Sequence, residues 1–154
     1  PGCANKDTWD PGQGDVIATE EIIIDILETG GIDGISLTGG EPLDQVEGLL
    51  TFLPKIPKKL SVFLTTGYTK DRAFEKADCI LKYVDILCSG PFIVEKFKPN
   101  LLWKGSENQV VEALTSRGKE ELKMKPKYQS ELMISSDGSL SATGFSLPKH
   151  LRNK

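Results

Sequence analysis

Histidine is nearly absent: the 154 residues contain one, His150, in a basic tail four residues from the end. A nucleophile–imidazole device needs its histidine rigidly held, and a chain terminus is a poor place for that. A histidine-rich zinc site is excluded by count. Cysteine is scarce as well. Cys3, Cys79 and Cys88 are odd in number and widely spaced, so no disulfide framework is implied and a reducing cytoplasm fits. Long apolar runs are missing, and with them any membrane span, which needs about 18 or more such residues. No basic, apolar, small-residue signal peptide opens the chain. Aromatics make up only 7%, and no aromatic-studded basic patch exists to grip a phosphate backbone, so nucleic acid is not an expected partner. Gly-Lys-Ser/Thr is absent, which removes the usual phosphate cradle. An initiating Met is absent too, and Pro1-Gly2-Cys3 reads as the interior of something longer.

What remains is an ordinary globular balance, with 38% hydrophobic and 27% charged residues. That balance and the length suit one domain with a core of its own. Charge is unevenly spread: residues 1–50 hold one lysine against eleven acids, whereas 117–154 hold eight Lys/Arg against four acids. Solvated faces explain this more simply than a steered docking surface.

Periodicity supplies the element order. Thr19 is a candidate N-cap for a helix carrying Ile22, Ile23, Ile26 and Leu27, ended by Gly30-Gly31. Gly34–Thr38 reads as a strand, and a second helix follows with Val46, Leu49, Leu50 and Leu53 on one face and Pro54 as its stop. Leu60–Thr66 is a second strand. Asp71 is a candidate cap for a third helix presenting Phe74, Ala77, Ile80 and Leu81, and Val84–Cys88 is a third strand. Asn108–Leu114 can pack as helix or strand, and Lys119–Lys127 reads as a charged connector. Ser130–Ser136 and Ser139–Thr143 flank Asp137-Gly138 as a C-terminal hairpin with a type I′ turn.

Strand, loop, helix repeated in this way predicts an α/β fold, a parallel sheet with crossover helices, whose ligands sit at the carboxyl ends of the strands. Those ends carry Gly39-Gly40-Glu41-Pro42, Thr65-Thr66-Gly67-Tyr68 and Ser89-Gly90-Pro91-Phe92, three glycine-bearing loops on one rim. Two glycines let a ligand approach the backbone without a Cβ in the way. Glu41 adds an anion beside exposed carbonyls, which suits an ammonium group. A plain turn with a capping glutamate is the competing reading of those residues.

Cys3-Ala4-Asn5-Lys6-Asp7-Thr8-Trp9-Asp10 resembles the stretch after the last cluster cysteine in radical S-adenosylmethionine activating enzymes. Pro1-Gly2-Cys3 resembles the end of the C-x3-C-P-G-C variant found in activators of anaerobic ribonucleotide reductase. The resemblance continues through Leu37–Leu43, Thr66–Thr69, Gly90–Ile93, Leu102–Gln109, and Asp137-Gly138 with Thr143-Gly144-Phe145. It implies a partial (β/α) barrel over a single domain, residues 1–154, without its N-terminal strand and first two cluster cysteines. It also implies a [4Fe-4S] cluster with Cys3 as one thiolate ligand, and S-adenosylmethionine as second cofactor.

By the same resemblance Gly39, Gly40 and Glu41 hold the methionyl ammonium, Pro42 fixes the loop, and Thr65 and Thr66 reach the methionyl carboxylate or ribose. No protein side chain takes a catalytic acid–base role. The partners implied are a glycyl-radical enzyme, foremost anaerobic ribonucleotide reductase, and a one-electron donor such as flavodoxin or ferredoxin. A lone thiolate does not bind four irons, so this stretch alone is expected to be inactive. Ser89 stands where the group often carries Asp before Gly-Pro-Phe. Cys79, Cys88, Trp9 and Trp103 read as packing residues. Three other readings are another radical S-adenosylmethionine reaction, a clusterless adaptor that keeps the fold, and a simple nucleotide-binding module.

Overall fold

Ile22, Ile23 and Ile26 recur at helical spacing and turn one face of helix α1, Thr19–Glu28, onto the core. The cap lies one residue earlier than expected: Ala18 is the N-cap, and the Thr19 hydroxyl instead donates to Glu20 and accepts from Lys55. The computed structural model describes residues 12, 14–98, 101–124, 130–134 and 140–144. Strand β1 (Gly34–Leu37) leads through a 3-10 turn, Pro42–Asp44, into helix α2 (Val46–Phe52). Pro54 does not stop that helix abruptly; a 3-10 turn, Leu53–Lys55, continues it. The helix is short, so Phe52 is buried where Leu50 was expected, and Leu50 is exposed.

Strand β2 (Ser61–Thr66), helix α3 (Lys70–Leu81) and strand β3 (Ile86–Ser89) complete the repeated pattern. Thr69, not Asp71, is the α3 N-cap. Asn108–Leu114 resolves as strand β4, Val110–Ala113. The expected charged connector begins instead as helix α4, Ser116–Glu121, because the Thr115 hydroxyl caps it by accepting from the Gly118 N–H at 3.1 Å.

The sheet order is β1-β2-β3-β4. The first three strands are parallel, paired Leu37↔Leu64 and Leu64↔Leu87, while β4 runs antiparallel to β3. The sheet is therefore mixed, because the chain returns from β3 to β4 through a loop and not through a crossover helix. Val62, Leu64 and Thr66 alternate to one face and are buried. That face meets Ala73, Ala77, Ile80 and Leu81 of α3 to form the core, with Leu43 and Phe52 closing its edge. Beneath the core, buried Asp85 accepts from the Val62 N–H (3.0 Å) and the Thr115 hydroxyl and lies 3.6 Å from Arg117. This clamp ties β2, β3 and α4 together where the strands begin.

The chain divides into two compact units, Pro1–Lys123 and Met124–Lys154. The second contains the expected hairpin: β5 (Ser130–Ile134) pairs antiparallel with β6 (Leu140–Gly144). Its Asp137-Gly138 turn lies outside the described residues. No helix of the described residues is long and apolar enough to cross a membrane.

Candidate functional site

β1 ends in a loop whose backbone only glycine accepts easily. Gly39 has φ +99°, and nothing lies within 4 Å of the position a Cβ would occupy. The main chain there is open to a ligand. Gly40 is exposed, Glu41 half-buried and Pro42 buried at the head of the 3-10 turn.

The Glu41 carboxylate caps that turn and also bridges to the next loop. Oε1 accepts from the Leu43 N–H (3.0 Å) and the Thr66 hydroxyl (2.7 Å), and Oε2 accepts from the Gly67 N–H (2.8 Å). The capping reading and the bridging geometry hold together. A carboxylate offers roughly four lone-pair positions; with three filled, one on Oε2 is left for a ligand cation. Thr66 is 1% exposed and gives its only proton to Glu41, while its oxygen accepts from the Tyr68 N–H at 3.1 Å. Thr65 is half-buried on the opposite face of the sheet.

The third loop joins the same rim. Gly90 has φ +109°, and its N–H donates to the Tyr68 carbonyl at 2.7 Å. Gln109 holds this loop from below. Its carbonyl oxygen accepts from the Gly105 and Ser106 N–H groups (2.9 and 3.1 Å), and its amide donates to the Gly90 carbonyl (3.0 Å). Asn108 Nδ2 donates to the Pro91 carbonyl at 2.7 Å. The Leu102–Gln109 segment, which carries no readable chemistry in sequence, is thus a brace for the β3 loop. Trp103 in that segment has φ +66°, packs edge-on against Phe63 and buries an indole N–H that has no partner. A left-handed conformation in a bulky residue is strained by roughly 1–2 kcal/mol. At the end of β3, Ser89 is buried with its hydroxyl also unpartnered.

Sequence reasoning missed one cluster on the rim. The Tyr68 phenol donates to Asp44 Oδ1 at 2.7 Å, and Lys76 Nζ lies 3.0 Å from the same oxygen. The phenol's hydrogen bond and the Lys76 ammonium hold the Asp44 carboxyl below its usual range, and donating that bond raises Tyr68. Its members come from three elements, so no local spacing announces them.

Cys3 lies outside the described residues. Cys88 is buried in β3, where loss of water pushes its thiol up to about 11 despite an opposing influence from Lys104. Iron binds thiolate, so Cys88 does not fit a cluster ligand. Cys79 is exposed on α3, off the Ala73–Ala77–Ile80 stripe, and is not the packing residue expected. Among the described residues no three His, Cys, Asp or Glu side chains group as a metal site. A cleft of about 280 Å³ opens at the other end of the strands, lined in part by Ile56, Tyr83, Asp85 and Arg117. Its central polar groups are spent on the protein: Arg117 donates to the Leu60 and Lys58 carbonyls, and Asp85 is clamped as above.

The rim with its bare glycine backbone is the candidate site, and residues 1–112 match the family model described as a 4Fe-4S single cluster domain. The chain is 34% identical over 119 residues to the anaerobic ribonucleoside-triphosphate reductase-activating protein of Haemophilus influenzae, covering 71% of this chain and 77% of that one. The protein of that description from Escherichia coli K12 is 36% identical over 124 residues, 74% of this chain and 80% of its own. Its counterpart in Enterobacteria phage T4 is 32% identical over 117 residues, 70% and 72%. This chain belongs to the family of the anaerobic ribonucleoside-triphosphate reductase-activating proteins. No solved structure gives a significant match.

Proposed function

We propose that this protein activates an anaerobic ribonucleotide reductase as a radical S-adenosylmethionine enzyme, its sheet forming part of a (β/α) barrel. The observation that carries the reading is the Gly39-Gly40-Glu41 loop: backbone open at Gly39, which has positive φ, and pinned by the Glu41 carboxylate to the neighbouring strand end. It lies in a chain that matches the single-cluster family over residues 1–112. A bound [4Fe-4S] cluster would supply the one electron that cleaves S-adenosylmethionine reductively to methionine and an adenosyl fragment able to take a hydrogen atom from a backbone glycine of the reductase. The electron comes from a flavodoxin- or ferredoxin-type donor, and the protein works in the reducing cytoplasm.

The chain's own residues bind and orient. Carbonyls of Gly39 and Gly40 accept from the methionyl ammonium, and the remaining lone pair on Glu41 Oε2 adds a charge-assisted bond. Pro42 keeps the loop's exit fixed. Thr65, on the opposite face from Thr66, contacts the methionyl carboxylate or ribose. Thr66 serves the ligand indirectly, by holding Glu41. Cys3 is one thiolate ligand to the cluster, which requires further thiolates that Cys88 and Cys79 do not supply. With orientation and water exclusion as the protein's task, a rim without histidine is no handicap.

The test is anaerobic reconstitution of the complete gene product with iron and sulfide, followed by chemical reduction in the presence of S-adenosylmethionine. The expected result is a brown protein that forms equal amounts of methionine and 5′-deoxyadenosine and installs a radical on the reductase. A colourless product, or a coloured one that leaves S-adenosylmethionine intact, overturns the reading. Calorimetry showing affinity for ATP but none for S-adenosylmethionine would favour a nucleotide-binding module.

A further inference from the structure

Tyr68 stands where the three rim loops meet. Its N–H donates to the Thr66 hydroxyl, its carbonyl accepts from the Gly90 N–H, and its phenol donates to Asp44 in the turn that follows Glu41. Lys76 reaches in from α3 to the same Asp44 oxygen, and its ammonium lies 5.3 Å from the centre of the Tyr68 ring. The first two bonds use the main chain, and any residue but proline at this position would make them. The phenol–Asp44 bond alone requires tyrosine.

That bond joins groups near the surface, where an isolated hydrogen-bonded contact adds little to folding. Its consequence is local. No atom lies within 4 Å of where a Gly39 side chain would begin, so nothing packs against that residue from its Cβ side. The glycine pair is held at one end by the pairing of Leu37 with Leu64 and at the other by the Glu41–Asp44 turn. The turn is in turn fixed to the β2 loop at two points, through Glu41 and through Asp44.

We propose that the Tyr68–Asp44 bond is a latch that sets the glycine pair for its ligand, making Tyr68 a positioning residue for S-adenosylmethionine binding. The inference rests on the functional reading above and adds a residue to it. The latch fixes the far end of the loop before ligand arrives, so less ordering remains to be done on binding.

The experiment compares Tyr68→Phe, Asp44→Ala, Asp44→Asn and the Tyr68→Phe/Asp44→Ala double variant in the complete gene product. Amide hydrogen exchange over residues 38–45 is read without ligand, and S-adenosylmethionine affinity is read by calorimetry on the reconstituted protein. Tyr68→Phe keeps the ring, the Lys76 contact and both main-chain bonds. It is expected to speed exchange in that segment and weaken affinity about fivefold, the scale of one modest hydrogen bond. The KM for S-adenosylmethionine should rise with kcat little changed, the pattern of lost ground-state binding. Asp44→Asn retains an acceptor for the phenol and should restore most of the affinity. The double variant should lose no more than Asp44→Ala alone.

Unchanged exchange in Tyr68→Phe, unchanged affinity, or a loss that merely follows a lower melting temperature overturns the latch. Wild-type protein that fails to bind S-adenosylmethionine overturns the functional reading instead, and the exchange comparison still judges the latch.

Discussion

Glu41→Ala removes the acceptor of three donors at once, and the structure says which losses count. The Gly67 N–H is exposed and water takes the place of Oε2. Leu43 and Thr66 are buried, at 0% and 1% exposure, so their donors are not rehydrated. With hydrogen bonds to charged groups contributing about 1.5–3 kcal/mol each, two such bonds put the loss at about 3–6 kcal/mol. For a chain of this size that corresponds to a melting temperature lower by about 6–24 °C. Glu41→Gln keeps one oxygen for Leu43 and Thr66 and turns an amide NH₂ toward Gly67. Its loss is about 1 kcal/mol, the scale of one solvent-accessible hydrogen bond.

Calorimetric melting of the three proteins, with S-adenosylmethionine titrated into each, separates a brace from a pure ligand contact. The brace predicts graded stability, wild type above glutamine above alanine, with affinity falling in both variants. An alanine variant that melts like the wild type but no longer binds would refute the reasoning. In that case the carboxylate faces the ligand, and the bonds to Leu43 and Thr66 carry no weight.

Other consequences concern the supports. Asp85→Ala strands the Val62 N–H and the Thr115 hydroxyl and leaves Arg117 without its carboxylate. Breaking such a buried cluster costs about 3–5 kcal/mol, visible as a lower urea midpoint with an unchanged slope. Gln109→Ala removes three good bonds, two that shape the Leu102–Gln109 brace at Gly105 and Ser106 and one that ties it to the Gly90 carbonyl. It is expected to lose about 3 kcal/mol and to speed exchange at residues 90–93, and a stability within about 0.5 kcal/mol of wild type would argue against the brace. A thiol reagent at mildly alkaline pH should label exposed Cys79 in the folded protein and reach Cys88 only on unfolding, since burial holds that thiol near 11. Mass spectrometry of digested protein reads both sites, and rapid native labelling of Cys88 would contradict its burial.

The sequence alone carried the order of elements, because Ile22–Ile26 and Ala77–Leu81 write a helical face into local spacing. The glycine-bearing ends of the strands were equally legible, being stretches of consecutive residues. The direction of β4 was not, since neighbours in sequence do not distinguish an apolar helix from a strand until β3 offers it a partner. Nor was α4, a run of charges that becomes helical because Thr115, fixed to Asp85 thirty residues away, caps it. Tertiary structure alone decided that Thr66 gives its proton to Glu41, that Tyr68 joins all three loops, and that Gln109 holds Gly90. Each rests on a hydrogen bond between residues 19 to 25 positions apart. A donor's identity is written at one position, but its acceptor is chosen by how the strands align and the helices cross.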